Sequence, residues 1–319
     1  MNSHAENIAI FLQTPQLRSL TMSDRQATRL AALLPHCKVV QCHSEPEFVQ
    51  ALPEAAIALT WIFRQEWFAL APQLRLVSTP AAGKDYFSVE WPAGIEHWNG
   101  AFHGRIMAES AVGMILGMCR GILPACTTFR NIAWPRPQLD AVCGTLYGST
   151  VAICGFGRIG RAIGERLKPF GVRMFGISAH HGHTPPEYFT DGDILATGEE
   201  LPRLLPLVDH LVLVMPRTAQ TDGFLSRQRL AMLKRGATVC NLGRGNAIDE
   251  QALCEALQSG HLAGACLDVA ATEPLDDASP LRHCPNLWIT PHSSAFTAQY
   301  MDFYIDELVG RLSSYFLKA

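Results

Sequence analysis

Three features of the sequence predict two α/β domains, each a doubly wound parallel sheet. The first hundred residues alternate short apolar runs with amphipathic stretches. A second alternation of the same kind begins near residue 150. At its first strand-to-helix junction stands a glycine-spaced turn, "CGFGRIG" (154–160).

In the first series the apolar runs are 8–12, 39–41, 55–62 and 74–79. Apolar runs separated by helical stretches belong to a parallel sheet covered by helices. A helical pattern follows over 106–130, rich in Met, Ala, Gly and Leu on several faces. A helix apolar nearly all round is buried, here between two domains or two subunits. "WPRPQL" (134–139) breaks it. The second series places strands at 150–154, 173–177, 211–215, 237–241, 264–268 and 287–290, with helices between most of them. The stretch 298–317 reads as one amphipathic helix. The sequence shows no internal repeat or low-complexity segment.

Composition narrows the class. The 319 residues are 48% hydrophobic and 17% charged, with 26 basic and 29 acidic residues giving a net charge of -3. That balance argues against nucleic-acid and polybasic membrane partners. The N-terminus lacks the pattern of a signal peptide. The run "AVGMILGMC" (111–119) ends at Arg120, short of the roughly 18 residues a membrane span needs. Ten cysteines form no C-x-x-C pair and several lie in apolar stretches, so a cytoplasmic protein without a disulfide framework is expected. "HHGH" (180–183) precedes two prolines and reads as an exposed polar loop; no metal is expected.

The chemistry begins at the glycine turn. In "TVAICGFGRIGRAIGERLKPFG", Gly155, Gly157 and Gly160 stand between an apolar strand and a helix. The first glycine permits a tight turn, the second lets backbone approach a pyrophosphate, and the third allows close helix–strand packing. The helix start then offers free N–H groups and its positive dipole end to phosphate. An NAD-specific site carries an acidic residue about 20 positions on, to bind the ribose hydroxyls. Here that strand ends in Ser178. A serine does not repel a 2′-phosphate, and His180 or His181 is placed to help hold one, so the cofactor reads as NAD(P) leaning to NADP.

Three further stretches, "NLGRGNAIDE" (241–250), "GACLDVAATEPL" (264–275) and "ITPHSSA" (289–295), each set polar groups just after an apolar strand. Carboxyl ends of strands face the ligand crevice of an open α/β sheet. Arg244, Asp268, Glu273 and His292 are thereby expected to converge. Reducing a 2-oxo acid needs a bidentate cation for its carboxylate, which arginine provides. It needs a proton donor titrating near neutrality, the usual task of histidine. A carboxylate bonded to that histidine orients it and favours its charged form. The glycines flanking Arg244 are expected to let backbone lie against the cofactor.

These stretches, with "LRLVSTPAAGKDYF" (74–87), "GRIMAESAVGMILGMCR" (104–120) and "LVLVMPRTAQTDGFL" (211–225), resemble the D-isomer-specific 2-hydroxyacid dehydrogenase family nearly end to end. The resemblance implies a Rossmann cofactor domain inserted into a flavodoxin-like substrate domain, with boundaries at 1–98, 99–286 and 287–319. It implies that Arg244 binds substrate, that His292 is the acid/base and that Glu273 is its partner. It implies substrate carboxylate contacts from Ala82 and Gly83. Cofactor contacts are implied from Gly155, Phe156, Gly157, Arg158, Ile159, Gly160, Ser178, Met215, Pro216, Thr221, Leu242, Gly243, Asp268 and Ser294. A homodimer joined through the 104–130 region is also implied.

The sequence departs from the family pattern at Ser178, where aspartate is usual, at Lys84, and in "HSSA" (292–295), which lacks the customary glycines. Lys84 is either a contact for a second anionic group on the substrate or an ordinary surface lysine. The leading expectation is reduction of a small 2-oxo acid such as glyoxylate or hydroxypyruvate. Alternatives are the same chemistry on a phosphonate, phosphite or phosphorylated acid, and a non-catalytic NAD(P)-sensing regulator. Formate dehydrogenases resemble this family but carry glutamine at the position of Glu273, which disfavours that reading.

Overall fold

The computed structural model describes residues 6–83, 86–180 and 182–317. The chain divides into two units, residues 1–103 with 296–319, and residues 104–295. Each is an all-parallel α/β sheet.

The first unit opens with strand β1 (Glu6–Phe11), helix α1 (Asp24–Leu33), β2 (Cys37–Gln41), α2 (Glu45–Ala51), β3 (Ile57–Thr60), β4 (Leu76–Thr79) and β5 (Glu96–Asn99). The strands run in the order β2-β1-β3-β4-β5, the flavodoxin-like arrangement. Ser23 starts α1 with a capping box closed by Gln26, and Ala27 and Leu30 face the core. β3 and β4 are buried throughout, as strands covered on both faces must be. The sequence reading omitted β5. "EHWN" is polar and half-exposed at the sheet edge, so it carries no apolar run to signal a strand.

The second unit comprises α3 (Gly104–Cys119), α4 (Ile122–Cys126), α5 (Arg136–Asp140), β6 (Thr150–Cys154), α6 (Arg158–Leu167), β7 (Arg173–Ser178), β8 (Ile194–Thr197), α7 (Leu201–Leu204), β9 (His210–Leu213), α8 (Arg227–Met232), β10 (Ala237–Asn241), α9 (Glu250–Gln258), β11 (Leu262–Leu267) and β12 (Leu287–Ile289). Its order, β12-β11-β10-β9-β6-β7-β8, is the doubly wound Rossmann arrangement with a seventh strand, and its switch point lies between β6 and β9. β8 is another unpredicted edge strand. The expected single helix over 106–130 ends at Cys119, because Gly121 turns left-handed (φ +68°) before α4 begins. α3 also exposes Arg105, Glu109 and Gly113, so it is not apolar all round. The expected break at 134–139 holds the short α5, whose single proline, Pro137, lies in its first turn where no N–H is required.

The chain then returns to the first unit through α10 (Tyr300–Phe316), which buries Tyr304, Ile305, Leu308 and Leu312. Its Tyr304 hydroxyl donates to Ser78 Oγ at 2.8 Å. The return falls after residue 295, not at the expected 287. The reason is that Leu287, Trp288 and Ile289 pair in register with Ala265, Cys266 and Leu267 and so extend the second sheet. The forward boundary lies at 103 in place of 98.

One expectation about cysteine is overturned. Cys254 on α9 and Cys284 are joined in a disulfide, with their Cα atoms 5.6 Å apart. Thirty residues separate them, and a pairing at that range leaves no spacing signature. The other eight cysteines are free. No helix among the described residues is long and apolar enough to cross a membrane.

Candidate active site

The glycine turn joins β6 to α6, and its three glycines answer to different neighbours. A Cβ on Gly155, where φ is +94°, would lie 2.7 Å from the Val214 carbonyl oxygen, and one on Gly160 would lie 2.4 Å from that of Gly155. Both positions are closed by packing of turn, helix and strand. A Cβ on Gly157 would meet nothing within 4 Å. Gly157 precedes the first turn of α6, which no side chain caps, and both Gly157 and Arg158 are exposed. The orphan N–H groups of such a turn suit an anion. Phe156 is held by the sheet. Its N–H donates to the Ile177 carbonyl at 2.9 Å, and its ring covers Gly176, where a Cβ would come within 2.6 Å of it. Beneath the turn, burial pushes the Cys154 thiol up to about 12, which removes it as a nucleophile.

Ser178 closes β7 and is buried, with its hydroxyl donating to the His180 carbonyl at 2.8 Å. His180 is exposed, and His181 lies outside the described residues. Across the sheet, Met215 is buried and Pro216 exposed. Thr221 Oγ1 donates to the Pro216 carbonyl at 2.8 Å and accepts from Thr218 N–H at 2.8 Å, closing that loop. Leu242 lies in the core.

Arg244 sits three residues past the end of β10. The side chain of Asn241, fully buried, ties the turn down: its Oδ1 accepts from Gly243 N–H at 3.0 Å and its Nδ2 donates to the Arg244 carbonyl at 2.9 Å. The glycines on either side are closely packed. A Cβ on Gly243 would lie 2.7 Å from Met215 O, and one on Gly245 would lie 1.8 Å from the Ala270 carbonyl carbon. They let neighbouring strand-end loops pack backbone to backbone, which holds Arg244 against the loop that carries Glu273.

His292 and Glu273 are brought together. His292 Nδ1 donates to Glu273 Oε2 at 2.8 Å, since an ionised carboxylate only accepts. Nε2 is thereby left for another partner. Glu273 Oε1 accepts from Ala270 N–H at 3.1 Å, and the two side chains are 54% and 38% exposed, so the pair is open to solvent. His292 holds φ at +50°, an uncommon conformation for a non-glycine residue that its surroundings must enforce. Asp268 enforces it. Only 1% exposed, its carboxylate accepts from Thr290 Oγ1 (2.6 Å), Ser293 N–H (2.8 Å) and Ser294 N–H (3.0 Å), while its carbonyl accepts from His292 N–H at 2.8 Å. Ser294 is further held by Ser110 Oγ, which donates to its carbonyl at 2.7 Å. Asp268, expected among the cofactor contacts, is bonded to the histidine's turn. Asn241 and Thr290 were missed by the sequence reading, because a polar residue at a strand end does not show which backbone it will meet.

In the first unit, Ala82 is exposed and the Gly83 carbonyl accepts from Asn99 Nδ2 at 2.7 Å. Gly100 backs this loop, since a Cβ there would lie 2.1 Å from Pro80 O. Lys84 lies outside the described residues. Among the described residues no three metal-ligating side chains group together.

Residues 112–294 match the family described as D-isomer specific 2-hydroxyacid dehydrogenase, NAD binding domain. The chain is 31% identical over 262 residues to D-3-phosphoglycerate dehydrogenase of Mycobacterium leprae, covering 80% of this chain and 48% of that one. It thus spans about half the length of the phosphoglycerate dehydrogenases it matches. It is also 31% identical over 270 residues to glyoxylate/hydroxypyruvate reductase B of Yersinia enterocolitica, covering 80% of this chain and 78% of that one. A D-isomer specific 2-hydroxyacid dehydrogenase from Xanthobacter autotrophicus Py2, solved in complex with NADPH and MES, superposes with a TM-score of 0.73 at 26% identity over 98% of this chain and 96% of that one. A match across more than half of its residues, together with these relatives, shows that the chain belongs to the D-isomer-specific 2-hydroxyacid dehydrogenase family.

Proposed function

We propose that the protein is an NAD(P)-dependent reductase of a small 2-oxo acid, glyoxylate- or hydroxypyruvate-like, and oxidises the D-2-hydroxy acid in reverse. The observation that carries this reading is the hydrogen bond between His292 and Glu273, set on a loop packed against the turn of Arg244. A nicotinamide cofactor, when bound, supplies or accepts the hydride. The open face at Gly157 and the uncapped start of α6 fit its pyrophosphate, with backbone N–H groups of Arg158, Ile159 and Gly160 as donors.

In this reading the Arg244 guanidinium grips the substrate carboxylate and polarises the carbonyl. His292 gives its Nε2 proton to the carbonyl oxygen during reduction and takes it back during oxidation. Glu273 holds Nδ1–H, which fixes the ring and steadies its charged form. Backbone groups of Ala82 and Gly83 are assigned to the substrate carboxylate. Ser178, lacking a carboxylate, favours NADPH over NADH. A homodimer through the 104–130 region and a cytoplasmic location complete the proposal.

The test is a panel of 2-oxo acids with NADPH and NADH, followed at 340 nm. Glyoxylate or hydroxypyruvate should be reduced, with the higher kcat/KM for NADPH, and Ser178→Asp should reverse that order. Absence of turnover across the panel, with cofactor still bound, would leave the sensing role. The phosphoglycerate dehydrogenases at 31% identity support a second reading, a phosphorylated acid as substrate, so 3-phosphohydroxypyruvate belongs in the panel.

A further inference from the structure

The first unit holds an open cavity of about 460 Å³ lined by Arg18, Ser19, Phe296, Thr297 and Ala298. Its volume falls in the range of small-molecule sites. Arg18 is exposed, and its guanidinium has no hydrogen-bond or ion-pair partner among the described residues. The cavity combines this cation with the hydroxyl residues Ser19 and Thr297 and an apolar wall from Phe296, 38% exposed, and Ala298.

Its position links it to the loop assigned to the substrate carboxylate. The Gly83 carbonyl accepts from Tyr86 N–H at 3.3 Å. The Tyr86 ring lies 6.0 Å from that of Trp61, and the Trp61 indole N–H donates to the Leu20 carbonyl at 2.8 Å. Leu20 ends the short turn that begins at Arg18. Trp61 also faces Tyr300 at 6.3 Å, at the start of α10 and just after Phe296–Ala298. Trp61 follows β3, the Gly83 loop follows β4 and the Arg18 turn follows β1. All three therefore lie at the carboxyl end of one parallel sheet, where α/β ligands bind. Loop 80–83 and Arg18 are joined by a short aromatic wall.

We propose that Arg18 binds a second anionic group at the far end of the substrate, so that the preferred substrates are 2-oxo acids bearing a distal carboxylate or phosphate. This rests on the 2-oxo acid reductase reading above. Arginine matches either anion through a planar fork of donors, and the Tyr86 ring, 43% exposed and backed by the buried Trp61, suits the carbon chain between the two charged ends.

Length-matched substrate pairs test it: 2-oxoglutarate against 2-oxopentanoate and 2-oxoadipate against 2-oxohexanoate, with 3-phosphohydroxypyruvate against hydroxypyruvate for the phosphate. At least one anionic member should exceed its neutral partner in kcat/KM by tenfold or more. Arg18→Ala should cut that ratio by roughly 10- to 100-fold, mostly through KM, the usual size of a lost charge-assisted hydrogen bond. Arg18→Lys should keep part of it, and thermal unfolding should be unchanged because the side chain is exposed. Which pair responds identifies carboxylate or phosphate. If no pair shows the preference, or if Arg18→Ala lowers both members alike, the subsite is refuted while 2-oxo acid reduction stands. If no 2-oxo acid is reduced at all, the enzymatic reading fails and the subsite falls with it.

Discussion

Asp268 gives its carboxylate to three donors of a single turn, and that turn holds His292 at a positive φ. Asp268→Asn turns one acceptor into a donor facing buried N–H groups, a mismatch worth about 1–3 kcal/mol. The expected outcome is a lower Tm together with a kcat reduced tenfold or more, measured by calorimetry and steady-state kinetics. An unchanged kcat would mean that the turn holds without it. His292→Ala should lower kcat by roughly 10²–10⁴-fold, the usual worth of general acid catalysis, while cofactor affinity, read by fluorescence titration, stays the same. Near-normal reduction by that variant, with Arg244→Ala inactive, would assign the proton to another group. The residues of this site were legible because chemistry-bearing side chains followed apolar runs. What each one touches was less so. The roles of Phe156, Gly243, Gly245 and Asp268 depend on Ile177, Met215, Ala270 and Ser293, partners that only the folded sheet brings alongside.

At the level of elements, the turn before α6 separates packing from binding. Gly157→Ala adds a methyl that meets no atom of the chain, so Tm should hold while dinucleotide affinity, measured by calorimetric titration, falls. Gly160→Ala drives a methyl into the Gly155 carbonyl and should cost on the order of 1–3 kcal/mol of stability. Equal effects of the two would refute this division. β9 carries a pH response of its own. His210 is buried and bonded through Nδ1 to Thr238 Oγ1 at 2.8 Å, and burial lowers its pKa from 6.5 to about 4. Unfolding therefore takes up a proton between those values. The stability His210 contributes is whole above pH 6.5 and is lost as pH falls toward 4. At pH 5 the loss is on the order of 2 kcal/mol. Urea midpoints at pH 7 and pH 5 should show it, and His210→Gln should flatten the difference. Most strands announced themselves as apolar runs. The edge strand β5 did not, β8 went unread although its Ile194, Leu195 and Ala196 are apolar, and the end of α3 was hidden because Gly121 reads like the helix-compatible glycines 113 and 117 before it.

Considered as a whole, the molecule leaves five large apolar side chains exposed within one stretch, Ile122, Ile132, Trp134, Val142 and Tyr147, with Trp134 and Tyr147 each 77% exposed. Surface of this kind marks an interface, and it extends the region proposed to join two copies. Light scattering should give about 70 kDa, twice the chain mass of 35.0 kDa, and Trp134→Glu should shift it toward the monomer; a wild-type monomer would refute the assignment. The return of the chain through α10 has a consequence for synthesis. The strands of the first unit are made before residues 104–295, yet the helix that binds Ser78 through Tyr304, Gln26 through Asp302 and Ala101 through Glu307 is made after them. The unit that starts second, residues 104–295, has every strand in hand before that helix leaves the ribosome. Domains fold as they become complete, so the order of maturation is the reverse of the order of translation. Until then the five-stranded sheet lacks the helix that packs beside α1, and the nascent chain is most exposed to chaperones and proteases in the unit whose strands were made before the other.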